Sequence, residues 1–256
     1  MNPDDFRSMR RGQVFDTLKS EEIAMLRGYE SKNANKDRAL LLLHGFSSTP
    51  LVFRELLPHL KQYDAVIAPT LPGHGDTLDV FSKTKASDWI SFIENSCDTL
   101  CNTYKKVDVL GLSLGGVLAN HLSQKFKLNH LYLLAPAFDL RVHTKSLGFA
   151  RVMSRLGFTN IRSHAGDLFT DKHYEIAYRQ LPIQSVIEIL TFIKELQFSP
   201  PSCPTDVFLG CHDNVVDSDL VAKRFEQLDT TIHWLNNTAH VVPLDGDIEY
   251  LLKTLN

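Results

Sequence analysis

Short apolar runs alternate along this chain with longer stretches of helical spacing. The runs Ala39 to Leu43, Ala65 to Ala68, Val107 to Leu110, Leu131 to Leu134, Asp206 to Leu209 and Ile232 to Leu235 are nearly continuous in apolar residues. Strands covered on both faces need that composition. Helices are predicted between them, over Val52 to Gln62, after Ser87, over Leu114 to Phe126, over Ser218 to Leu228 and near the C-terminus. After Ser87 the residues Trp89, Phe92, Ile93, Leu100 and Tyr104 fall on one side, and Asp88 favours the positive end of the helix dipole. Strand alternating with helix predicts an α/β architecture, with a mostly parallel central sheet flanked by helices. Glu21 to Ser31 fits either an early antiparallel strand or a helix.

The pattern breaks once. About seventy residues separate the strand ending near Pro136 from the one beginning near Asp206, against roughly 2 to 6 for an ordinary connection. Residues 138–200 are therefore expected to form a small helical cap inserted into a core of residues 1–137 and 201–256. Its most legible helix starts at Ser185, in a capping box with Glu188, and puts Val186, Ile189, Leu190, Ile193 and Leu196 on one face. Pro200, Pro201 and Pro204 end it and return the chain to the core. Phe149, Met153, Leu156, Phe158 and Phe169 either pack beneath this cap or line a substrate channel.

Composition narrows the function classes. A chain of 256 residues suits one large domain or a core with a small insertion, and 43% hydrophobic residues, 22% charged residues and a net charge of -3 suit a soluble globular protein. Nothing basic points to nucleic acid. No apolar run is long enough to cross a bilayer, and Met1-Asn2-Pro3-Asp4-Asp5 lacks the order of a secretory signal, so a cytoplasmic protein is expected. Cys97, Cys101, Cys203 and Cys211 have neither metal-knuckle nor redox spacing and are expected to be free thiols, with no metal bound.

The sharpest chemistry lies at Val109-Leu110-Gly111-Leu112-Ser113-Leu114-Gly115-Gly116, an apolar strand running through G-x-S-x-G into a helix. A serine exposed at such a bend adopts a strained backbone, and side chains at Gly111 and Gly115 would collide with the neighbouring strand and helix. Ser113 is thus the candidate nucleophile, with the positive end of the following helix aimed at it. A serine hydroxyl needs a base, and the base needs a carboxylate to fix its tautomer. His240, in a loop after the last strand, is the candidate base among eleven histidines; His212 and His233 are weaker ones. Asp213, at the end of the strand Val207 to Gly210, is the candidate acid. Asp217 is its rival and alternatively caps the next helix. Backbone N–H groups of Leu114 and of Phe46, in the loop after Leu43-His44-Gly45, are expected to form an oxyanion hole, with the Phe46 ring as a pocket wall.

These segments, taken with Leu41 to Pro50, Pro72-Gly73-His74-Gly75 and Thr238-Ala239-His240-Val241, resemble the small bacterial carboxylesterases and monoacylglycerol lipases among the α/β-hydrolases. The resemblance runs from Leu40 to the C-terminus and is weak through the first forty residues and the cap. It implies an α/β-hydrolase fold, nucleophile Ser113, acid Asp213, base His240, donors Phe46 and Leu114, and a structural role for His74. The expected activity is hydrolysis of a small-molecule carboxylic ester with a short to medium acyl chain, through an acyl-enzyme and without a cofactor. A thioesterase, a lysophospholipase, a C–C bond hydrolase and a non-catalytic ligand receptor are alternatives on the same scaffold.

Overall fold

A computed structural model describes residues 2–141 and 145–255, so residues 142–144 of the expected insertion lie outside the described residues. The chain opens with strands β1 (Phe6–Arg10) and β2 (Gln13–Asp16), then helix α1 (Ser20–Met25) and strands β3 (Gly28–Lys32), β4 (Arg38–Leu43) and β5 (Ala65–Pro69). Helices α2 (Leu78–Lys83) and α3 (Ala86–Thr103), strand β6 (Lys106–Leu112), helix α4 (Leu114–Lys125) and strand β7 (His130–Leu134) follow. The stretch expected to be an insertion carries α5 (Lys145–Arg155), β8 (Asn160–Arg162), β9 (Glu175–Tyr178), β10 (Gln180–Pro182) and α6 (Ile183–Glu195). Strand β11 (Thr205–Gly210), helix α7 (Ser218–Phe225), strand β12 (Thr230–Leu235) and helix α8 (Ile248–Leu255) finish the chain.

The central sheet has seven strands in the order β12-β11-β7-β6-β4-β5-β3, parallel throughout except for β3, which runs antiparallel to β5. Side chains alternate across it. Leu41, Val109, Leu131 and Val207 join Trp89, Ile93, Val117 and Leu118 in one core, while Leu40, Leu110, Tyr132 and Phe208 join Val52, Phe53, Leu251 and Leu255 in the other. Both faces of the inner strands are therefore dry, which is why their sequences are apolar without a polar alternation, whereas β12, expected to be covered on both faces, lies at the sheet edge with Trp234 exposed.

Four local expectations change. The helix predicted over Val52 to Gln62 is replaced by two short 3-10 turns, Pro50–Phe53 and Leu57–His59. Pro58 has no N–H to give the carbonyl four residues back, so a continuous helix cannot pass through it. Glu21 to Ser31 resolves into both options in sequence, a short helix and then the antiparallel edge strand β3. The Ser185–Glu188 capping box does not form: α6 begins earlier, after Pro182, and Ser185 Oγ donates to the carbonyl of Phe81. Glu188 instead accepts from the Ala86 N–H (3.0 Å) and pairs with Lys85. Finally, the insertion carries strands as well as helices. β9 pairs antiparallel with β1, so the N-terminal hairpin and the insertion share a sheet, and Phe6 packs on the Tyr178 ring with centroids 4.2 Å apart.

Phe6 is fully buried at this seam. Phe6→Ala is expected to lower stability by about 3 to 5 kcal/mol, read as a lower urea midpoint in equilibrium unfolding.

Candidate active site

Strand β6 runs directly into α4, and the residue at the junction, Ser113, has φ +56° and ψ -114°. A side chain other than glycine holds such a conformation only when its surroundings enforce it. Here the Ser113 N–H donates to the Leu134 carbonyl (2.9 Å), while its own carbonyl accepts from Gly116 (3.0 Å), Val117 (3.2 Å) and Ala137 (3.1 Å). The bend is also as tight as the backbone allows. A Cβ on Gly111 would strike the Gly115 carbonyl, and one on Gly115 would strike the carbonyl of Leu43 at the end of β4.

The end of β4 thereby lies against the bend, and the loop that follows it passes Ser113 closely: a Cβ on Gly45 would sit 3.3 Å from that of Ser113. Ser47 closes this loop at φ +61°. His44 holds it from inside, donating from Nδ1 to the Gly45 carbonyl (2.9 Å) and accepting the Leu71 N–H at Nε2 (3.0 Å). Burial drops its pKa to about 4, so the ring stays neutral and can keep both bonds. His74 packs edge-on against His44, in the aromatic group of Phe46, Phe81 and Trp89. Burial, with the neighbouring His44, holds its pKa well below the usual value. Among the described residues no backbone carbonyl accepts the N–H of Phe46 or of Leu114, and both residues border the same cavity as Ser113. Leu114 is the first residue of α4, where helix N–H groups have no partner within the helix.

Asp213 and His240 come together from loops after β11 and β12. His240 Nδ1 donates to Asp213 Oδ2 at 2.9 Å. The other carboxylate oxygen accepts from Val215 (2.8 Å) and Val216 (2.7 Å), which fixes the acid's orientation. Asp217 points elsewhere and caps α7 by accepting the Leu220 N–H (3.1 Å). Burial works against a charged imidazole, yet the charge and hydrogen bond of Asp213, joined by the charges of Asp167 and Glu175, outweigh it and raise the His240 pKa. An imidazole held in this way presents Nε2 as a proton acceptor. His212 lies apart, stacked on Phe169, and His233 bonds Asp206 and Tyr250.

Ser113 and His240 open on one cavity of about 440 Å³. They are 8% and 9% exposed, reachable from the cavity yet sheltered from bulk water. Its walls are mostly apolar, with Val186, Ile189, Leu190 and Ile193 from α6 and Phe149 and Met153 from α5. Leu156 and Phe158 neither pack under the insertion nor line the cavity; they are exposed. Cys97, Cys101, Cys203 and Cys211 are free thiols.

Three carboxylates around the site escaped the sequence reading. Glu175 is a buried carboxyl in the cavity wall, raised in pKa by burial and accepting the Gly166 N–H (2.8 Å). Asp167 borders the same cavity, and Asp245 accepts the Ala239 N–H (2.8 Å) next to His240. No local motif marks any of them.

The sequence model of the alpha/beta hydrolase family matches residues 40–250. A thermostable monoacylglycerol lipase from Bacillus sp. (strain H-257) is 26% identical over 242 residues, covering 91% of this chain and 95% of the relative. A carboxylesterase from Bacillus subtilis (strain 168) is 22% identical over 220 residues, covering 82% and 87%. Among solved structures, one from work on LipS and LipT, two metagenome-derived lipolytic enzymes, aligns with a TM-score of 0.79 at 23% identity. That alignment covers 90% of this chain and 95% of the other, and it bears on the fold alone. With a match over most of its length, a parallel sheet of the kind described and a strained serine between β6 and α4, the chain belongs to the alpha/beta hydrolase family.

Proposed function

We propose that this chain is a serine hydrolase of carboxylic esters, of carboxylesterase or monoacylglycerol lipase type, acting on short to medium acyl chains through an acyl-enzyme on Ser113. One observation carries the reading: a strained serine at a helix N-terminus and a histidine bonded to a carboxylate open on the same apolar cavity. The similarity to a monoacylglycerol lipase and a carboxylesterase over most of the chain supports ester chemistry.

In this reading the Ser113 hydroxyl attacks the ester carbonyl while His240 Nε2 takes its proton. Asp213 keeps the Nδ1 proton in place and stabilises the imidazolium. The carbonyl oxygen becomes an alkoxide and meets the N–H groups of Phe46 and Leu114, with the positive end of α4 behind them. As the intermediate collapses, the bond to the alcohol breaks and His240 returns its proton to the departing oxygen. Water then gives a proton to His240 and attacks the acyl carbon. A second collapse frees the acid and restores the serine hydroxyl. The aliphatic wall of α6 and α5 favours a hydrocarbon acyl group over a charged one.

Ser113→Ala and His240→Ala are expected to remove nearly all hydrolysis of p-nitrophenyl butyrate with unchanged far-UV circular dichroism, and Asp213→Asn to reduce kcat by roughly 10³ to 10⁴. If Asp217→Asn is the damaging change, the acid is misassigned. Because the base must be neutral to accept a proton and its pKa is raised, kcat/KM should climb with pH through a midpoint above the ordinary histidine value of about 6.5. A midpoint below that value contradicts the assignment. Across p-nitrophenyl esters of graded length, rates should peak at short to medium chains; a flat profile or a preference for charged acyl groups argues against the pocket reading. A fluorophosphonate probe should label the wild type and not Ser113→Ala, whereas an unreactive wild type favours a ligand receptor.

A further inference from the structure

Residues 163–170 lie between β8 and β9, and this segment is gripped from two sides. On one side is the turn of the N-terminal hairpin. Arg11 N–H donates to the Gly166 carbonyl and Gly12 N–H to that of Ala165, while the Arg11 side chain reaches the carbonyls of Leu168 (3.1 Å) and Phe169 (2.7 Å). On the other side are the loops of Asp213 and His240.

The grip on those loops centres on one residue. Asp167 Oδ2 accepts the backbone N–H of Asn214 (2.9 Å) and Oδ1 accepts its side-chain amide (2.9 Å), while the Asp167 carbonyl accepts the Val241 N–H (3.1 Å). Asn214 adjoins Asp213, and Val241 adjoins His240. A single residue of the insertion thus holds the backbone next to both members of the pair. Asp245 repeats the pattern on the base side, accepting from Ala239 (2.8 Å), Phe169 (2.6 Å) and Thr170 (2.8 Å).

We infer that Asp167 is a positioning residue of the hydrolytic site, coupling the loop of Asp213 to the loop of His240 through the segment between β8 and β9. The inference rests on the serine-hydrolase reading of the site. It gives the insertion a second task besides walling the cavity: the alignment of base and acid depends on where the insertion sits. The same carboxylate adds negative charge near the imidazole, alongside Asp213 and the Glu175 of β9; His164, from the same segment as Asp167, borders the cavity as well.

Asp167→Asn keeps the size of the side chain, removes its charge and sets an amide donor against the donors of Asn214. The expected result is a kcat lowered roughly ten- to a hundredfold with KM changed much less, as for a small misalignment of reacting groups. The midpoint of the acid limb of kcat/KM should also move to lower pH, because a charge that favours the imidazolium is gone. Asn214→Ala removes one donor and no charge, so it should lower kcat less and leave the midpoint in place, and the two changes together should be less than additive. The same variants are read independently of the substrate by the pH-dependent rate at which a fluorophosphonate modifies Ser113. If Asp167→Asn lowers only the melting temperature, or changes kcat without moving the midpoint, the residue is merely structural and the inference is overturned. Should Asp167→Asn fail to fold, an Asn214→Ala with wild-type kcat and labelling rate overturns it instead. A reactive wild type matched by both variants sinks this inference alone; an unreactive wild type sinks the hydrolase reading and takes the inference with it.

Discussion

The contact between the backbone of Gly115 and the carbonyl of Leu43 sets the geometry on which everything else depends. Only with no side chain at 115 can α4 start so close to the end of β4, and only then does Ser113 occupy its left-handed bend. The same closeness brings the loop after Leu43 against the serine, so that the proposed nucleophile and N–H donors meet through one packing arrangement. The strain at Ser113 is borne by the hydrogen bonds to Leu134 and Ala137, that is, by the neighbouring strand β7 and the residues just past it. A site built on strand ends is stiff for this reason.

The other half of the site is organised differently. Asp213 and His240 sit on loops, and loops have no ladder to hold them. Carboxylates do that work: Asp213 Oδ1 ties Val215 and Val216, Asp167 ties Asn214, and Asp245 ties Ala239. Asp213 and Asp245 accept the buried N–H groups of Val216 and Ala239, where an unmade hydrogen bond is costly, whereas the bonds from Asn214 to Asp167 lie at the exposed rim. His44, neutral and doubly bonded, does the same for the loop of Phe46.

What could be read from the sequence follows from the range of each interaction. The strands were legible because burial on both faces leaves an unmixed apolar run, and the serine bend because its glycines lie within a few residues of it. Chain order made the adjacency of Asp213 and His240 readable without coordinates. Where distant partners decide, reading failed. Glu188 carries a capping-box spacing from Ser185, yet the Ala86 N–H and Lys85 claim it. Nothing in Phe6-Arg7-Ser8-Met9-Arg10 announces a strand whose partner is β9, since each strand is short and mixed in polarity. Pro58 is a local signal, and it accounts for the absent helix before β5.

The union of β1 with β9 also bears on how the molecule assembles. Pairing Phe6 with Tyr178 closes a loop of roughly 170 residues, which costs more chain entropy than joining strands through a short turn. Until β9 is in place, the edge of β1 that it covers has no strand partner, and the apolar Phe6 and Met9 lack that cover. Bare strand edges and apolar side chains of this kind are the surfaces through which incompletely folded chains adhere to one another.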